Sequence, residues 1–220
     1  MAVIKEGPIH RYTGLSTDTK PTGSTVAYGS TFYEYDTNDT YFTPDNASWY
    51  IKDSKSVKRI TVTYTLSAAA AYGAGDVLSD SISADKATTI DFASVAGYAG
   101  GTGQIVNLLI HSNDSSPSAE PVLYFFTTSS PVSAKVDNAA GNSPIHGDVS
   151  AGVYVDRIQF GSMVTLGTGA DSTAYPVAST LPVWFSTSST DSGLHVIMET
   201  ATAATFASKE LIFDMWVRRS

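Results

Sequence analysis

Alternation of apolar and polar positions with a period of two is the strongest pattern in the chain. In RITVTYTL (59–66), Ile60, Val62, Tyr64 and Leu66 alternate with Arg59, Thr61, Thr63 and Thr65, the spacing of a strand with one face buried and one wet. LIFDMWVR (211–218) sets Leu211, Phe213, Met215 and Val217 on one face and Ile212, Asp214, Trp216 and Arg218 on the other, so this strand is expected to be covered on both sides. Denser apolar runs occur at 104–111, 121–127, 152–160 and 194–200, with shorter ones at 88–93 and 181–187. Each is of strand length and bounded by Gly, Pro, Asn or Ser. No segment sustains apolar spacings of three and four over three turns. The alanines of LSAAAAYGAGD (66–76) could wind one turn, which Gly73 and Gly75 would stop. About eight strands with long, irregular connections after residue 58 predict an all-β fold, a two-sheet jelly-roll sandwich.

The first fifty residues follow a different pattern. STFYEYD, DTYFTPD and SWYIKD predict three very short strands with tight turns at Asp36–Asp39 and Pro44–Ala47. Their apolar content is a small aromatic group, Phe32, Tyr35, Tyr41, Phe42 and Trp49. A hairpin or three-stranded meander of this size is marginal alone, so the segment is expected to lean on a partner. TGLSTDTKPTG (13–23) ahead of it is expected to run extended. The chain therefore divides into an arm and small β module over 1–57 and a jelly roll over 58–220.

Charge sharpens this boundary. Residues 1–59 hold seven Lys/Arg against seven Asp/Glu, whereas residues 60–220 hold six against fourteen and carry the whole net charge of −8. An acidic domain with almost no clustered Lys/Arg argues against nucleic acid as a partner. No run approaches a membrane span, and the N-terminal MAVIKEGPIH lacks a secretory apolar stretch; the Asn-X-Ser/Thr triplets at 38, 46 and 113 then carry no weight. Ser and Thr make up 55 of the 220 residues, which is strand-and-turn chemistry. With no cysteine, disulfides, thiolate metal sites and a cysteine nucleophile are all excluded.

The candidate chemistry is thin. GYAGGTGQIV (97–106) has glycines for a phosphate loop, but Gly103 leads into a strand rather than a helix, so a Gly-rich inter-strand turn is expected. His10, His111, His146 and His195 lack metal-ligand spacing. DTNDT (36–40) has oxygens like the start of a calcium loop without its later glycine and glutamate; an Asx-rich turn is expected there. Asp137 and Asp148 could bind a cation or cap turns. No nucleophile elbow marks any of the 29 serines, and no pair of acids is singled out for sugar hydrolysis. No enzyme, no cofactor and no metal are expected.

The N-terminal stretch resembles a module of tailed-bacteriophage structural proteins. The resemblance rests on a Y-x-G-L-S-x-D-T-K-P-T lead (Tyr12, Gly14, Leu15, Ser16, Asp18, Thr19, Lys20, Pro21, Thr22), then G-S-x-F-Y-E-x-D-T (Gly29, Ser30, Phe32, Tyr33, Glu34, Asp36, Thr37) and Trp49. It covers about a fifth of the chain. The remainder resembles, more loosely, the jelly-roll domain of phage head decoration (cement) proteins through YGAGDVLSDSI, GGTGQIVNLLI, PVLYFFTTSSP and KVDNAAGNSPIHGDVSAGV. This resemblance implies a virion protein on the outer capsid surface, often trimeric, with the major capsid protein as partner. On that reading Tyr12, Leu15, Phe32, Tyr33, Tyr35, Tyr41 and Trp49 are expected at the attachment contact. Trp184, Phe185, Phe213 and Trp216 are expected at the interface of a homotrimer, because small jelly rolls hide apolar faces against each other. A second reading is a head fibre, tail or baseplate component that binds host glycan through Trp184 or Trp216.

Overall fold

The computed structural model describes residues 9–54, 57–67, 71–83, 87–113, 119–131, 136–141, 145–166, 171–206 and 210–219. It forms two compact units, Met1–Val57 with Arg218–Ser220, and Lys58–Val217.

The first unit is a four-stranded sheet of β1 (Arg11–Gly14), β2 (Thr31–Glu34), β3 (Asp39–Phe42) and β4 (Tyr50–Ser54), in that order. The three expected strands form the antiparallel part, with Phe32 opposite Tyr41, Glu34 opposite Asp39 and Phe42 opposite Tyr50. The fourth, β1, pairs in parallel with β2 and was not expected. A parallel neighbour needs a crossover, and residues 15–30 supply it. The stretch 13–23 is therefore not extended throughout. It leaves β1 in a turn closed by the Asp18 N–H on the Leu15 carbonyl, 3.0 Å, and turns again where Val26 N–H meets Gly23 O, 2.9 Å.

The second unit is a jelly roll built by nested pairing. Its strands are β5 (Val57–Thr65), β6 (Ala71–Tyr72), β7 (Val77–Leu78), β8 (Ile90–Phe92), β9 (Thr102–Ser112), β10 (Pro121–Phe126), β11 (Tyr154–Gln159), β12 (Val164–Thr165), β13 (Ser172–Ala174), β14 (Val183–Ser186), β15 (Leu194–Thr200), β16 (Ala204–Thr205) and β17 (Glu210–Arg219). Innermost is the antiparallel pair β10–β11. Around it β9 pairs with β13 and β14, then β7 and β8 with β15, and outermost β5 with β17. Successive pairs fall in alternate sheets, giving one sheet β11-β10-β15-β7 with β8 on β15, and another β12-β13-β9-β17-β5 with β14 on β9. All eight runs marked by the sequence are strands here. The short strands β6, β7, β12, β13 and β16, and one helical turn α1 (His146–Ser150), were not marked.

The alternation explains the core. Leu66, Leu78, Ile90, Phe92, Ile105, Leu108, Ile110, Leu123, Phe125, Val196, Met198, Phe213 and Met215 meet between the sheets. A second cluster of Val77, Val122, Tyr124, Phe126 and Ile197, with Tyr154 against it, lies on the opposite face of β10 and β15. PVLYFF is consequently buried at every position, and its run shows no alternation. The GYAGGTG segment links β8 to β9 as an inter-strand connection, with Gly97 and Gly100 at positive φ, and Gly103 lies inside β9.

Candidate attachment and assembly surfaces

In the first unit, most of the motif positions hold the module together. Gly14 sits so close to the crossover that a Cβ there would lie 2.8 Å from both Asp18 Oδ2 and Phe32 Cζ. Asp18 accepts the Leu15 N–H at 2.8 Å, and Asp36 accepts both the N–H and the hydroxyl of Ser16 at 2.9 and 2.6 Å. These bonds, led by the Ser16 hydroxyl, hold the Asp36 carboxyl below its usual range. Lys20 then reaches over the sheet. Its Nζ lies 2.5 Å from Glu34 Oε1 and above the rings of Tyr41 and Phe32, 4.2 and 5.1 Å from their centroids. The Glu34 carboxylate is almost wholly buried, a costly placement unless its lone pairs are met. The Thr37 hydroxyl donates to Oε2 at 2.7 Å and the Tyr41 hydroxyl at 3.5 Å. Burial, with Glu34 and Asp39 nearby, pushes the Tyr41 hydroxyl up to about 12. Trp49 closes the cluster: its indole N–H donates to the Pro21 carbonyl at 2.7 Å, and its ring meets Tyr12 and Phe32 edge-on.

This packing sorts the expected attachment residues. Phe32 is 3% exposed, so it is internal and is corrected from contact residue to module core. Tyr12, Tyr41 and Trp49 are half-buried in the same cluster. Leu15, Tyr33 and Tyr35 project outward, Tyr35 at 58% exposure, and so does Tyr28, which the sequence reading missed. The parity of β2 carries the distinction: Phe32 and Glu34 face in, Tyr33 and Tyr35 face out. DTNDT is the β2–β3 turn, with Asn38 at positive φ and its Oδ1 taking the Tyr33 hydroxyl at 2.7 Å.

In the second unit, Phe213 and Phe185 lie in the sandwich core. They cannot contact another copy, and two of the four expected interface residues are thereby corrected. Trp184 and Trp216 point to the other face of the six-stranded sheet. Trp216 is half-buried, with the Arg59 guanidinium 5.5 Å above its ring. Arg59 grips Asp214 through two bonds of 2.9 and 2.6 Å, Thr61 donates to the same carboxylate at 2.6 Å, and His111 Nε2 lies 3.4 Å from it. Arg59 first, then Thr61, holds the Asp214 carboxyl below its ordinary range. His111 Nδ1 is tied to the Thr173 hydroxyl at 3.0 Å. This strand, expected to be covered on both sides, thus carries a satisfied ion pair on its outer face, with Asp214 buried and Ile212 and Trp216 half-buried.

The remaining candidates are structural. His195 has each ring nitrogen on a carboxylate, Asp91 at 2.7 Å and Asp191 at 2.8 Å, while His10 meets the Tyr12 hydroxyl at 3.1 Å and His146 starts α1. Asp137 accepts from Ser67, Tyr72 and the Ser79 N–H, which fixes a loop over β7. Asp148 is buried in α1. Among the described residues, no three His, Asp or Glu stand grouped to hold a metal, and no helix is long and apolar enough to cross a membrane.

No protein-family model and no curated protein matches the chain. Two solved structures are similar at a low level. A KBV activated particle at acidic pH is 10% identical over 75% of this chain and 68% of that one, with a TM-score of 0.25. A marine algae virus of the order Picornavirales is 11% identical over 74% and 69%, with a TM-score of 0.24. At such scores neither likeness bears on function.

Proposed function

We propose that the chain is a non-enzymatic structural protein of a tailed-phage virion, attached to the outer surface of the capsid through its first unit and self-associating as a trimer through its jelly roll. The observation that carries this reading is the division of labour inside the N-terminal module. The motif that resembles a module of phage structural proteins is spent on building the unit, by the Gly14 approach, the Lys20–Glu34 pair and the Trp49 cluster. What is left over is a set of exposed apolar side chains, Tyr28, Tyr33 and Tyr35, with Ile9 and Leu15. Rigid aromatic side chains exposed on a small separate unit suit docking on a protein surface, since Tyr is enriched among interface hot spots. The partner on this reading is the major capsid protein, bound non-covalently, and trimerisation multiplies weak contacts through effective concentration.

The test compares the full chain with the chain beginning at Val57, using empty capsids in a sedimentation assay. The truncated chain retains the whole of the second unit, Lys58–Val217, and should stay soluble and all-β by circular dichroism while losing capsid binding. Tyr35→Ala in the full chain should weaken binding by about 1–2 kcal/mol, roughly five- to thirtyfold. Undiminished capsid binding by the truncated chain would refute the attachment role of the module.

A further inference from the structure

Among the described residues, four of the seven large apolar side chains exposed in the second unit fall on the strands beside one edge of β9 or next to them. Val164 is 56% exposed, Leu166 47%, Tyr175 55% and Trp184 68%. The pairing puts Val164, Tyr175 and Trp184 on one face. Val164 stands opposite Thr173, whose hydroxyl meets His111 on the face away from the core. Ala174 opposite Ile110 is internal, so Tyr175 returns to the outer face, and Trp184 opposite Gln104 lies there too because Val183 opposite Ile105 is internal. Leu166, two residues beyond Val164, has the same parity. Both β13 and β14 line the same edge of β9, at Ile110–Ser112 and Thr102–Ile105. The patch therefore runs along β9 for about five residues, roughly 16 Å.

Charge selects the occupant. The chain carries −8, so two copies repel wherever acidic surfaces meet. Between Arg157 and Asp191 the sequence holds a single charged residue, Asp171. The acid at the centre of the same sheet face, Asp214, is already neutralised by Arg59. On this stretch two acidic copies can meet with few carboxylates set against each other, and an exposed apolar patch is what a monomer rarely leaves open. We infer that the outer face of β12–β13–β14, centred on Tyr175 and Trp184, is where a second copy of this chain packs. The inference rests on the self-association in the reading above, but places it on residues of which the sequence had marked Trp184 alone.

Sedimentation velocity on the full chain tests it, with Tyr175→Asp/Trp184→Asp as the variant and Tyr35→Ala as the control. The wild type and the control should sediment as an oligomer at micromolar concentration, and the variant should shift to the 23.2 kDa monomer, weakened at least thirtyfold as expected for loss of a hot-spot aromatic. The substituted side chains are exposed and outside the core, so circular dichroism should match the wild type, and melting temperature should fall only by what the lost association contributed, a difference that shrinks as the protein is diluted. An oligomer that persists in a folded variant would overturn the assigned face and leave self-association standing. A monomeric wild type, in solution and on capsids alike, would overturn both.

Discussion

At the scale of single residues, the first unit depends on one buried ion pair and one absent side chain. Lys20→Met should strip the near-fully buried Glu34 carboxylate of its charge partner and cost about 3–5 kcal/mol, because an uncompensated buried charge is worse than none. Lys20→Met/Glu34→Leu should recover much of that loss, since replacing both partners by apolar groups removes the desolvation cost as well. Proteolysis of the module, read against the intact jelly roll, distinguishes the two: equal susceptibility of single and double variants would show that the pair's charge is not what matters. Asp214 gives a pH signature. Its folded carboxyl titrates below its unfolded value, so its contribution is fully present above the unfolded carboxyl range, near 4, and is lost as pH falls through the folded value. Asp191, held low by the Gly193 N–H and His195, acts in the same direction. Melting temperature should therefore drop as the wild type is acidified from about pH 4.5 towards 2, and the drop should be shallower in Asp214→Asn. Parallel acid profiles for the two proteins would contradict this account.

At the scale of elements, what the sequence revealed depended on length and on whether one face was wet. β5 and β17 announce themselves by alternation over nine and ten residues. β10 has both faces covered and shows a bare apolar run instead. The two-residue strands β6, β7, β12 and β16 are shorter than any period can register: β7 exists because the long β15 offers its edge, whereas β6 and β16 pair with each other and β12 with the three-residue β13. β1 was invisible for a related reason: RYTG is strand only because residues 15–30 cross over and return it parallel to β2. The motif in the module was legible as a motif, but its meaning was not. Conspicuous aromatics such as Phe32 and Trp49 read equally as core and as contact until β2 parity assigns the first and the bond to the Pro21 carbonyl the second. The same ambiguity hid Phe185 and Phe213, where a Trp beside a Phe in one strand places one of the pair inside and the other out.

At the scale of the whole molecule, the division of charge makes a prediction about conditions rather than about any one contact. Residues 1–59 carry no net charge and the remainder is acidic, and the self-association surface proposed above is apolar and almost uncharged. Its attraction is then non-directional and little affected by moderate salt, while the repulsion it must overcome comes from acidic surfaces spread over the rest of each copy. Those separations exceed the Debye length once salt is added, about 10 Å at 0.1 M. Raising the salt from about 0.02 to 0.5 M should therefore strengthen the oligomer, moving the midpoint of association to lower protein concentration. Moderate acidification towards the sequence pI of 4.8 should do the same for the same reason, as long as the carboxylates of the Asp214 and Asp191 networks remain ionised. Sedimentation over a salt series reads this directly. An association that weakens with salt would mean that charge pairs across the interface hold the copies together, which would move the contact off the uncharged β12–β14 face and onto one of the acidic ones.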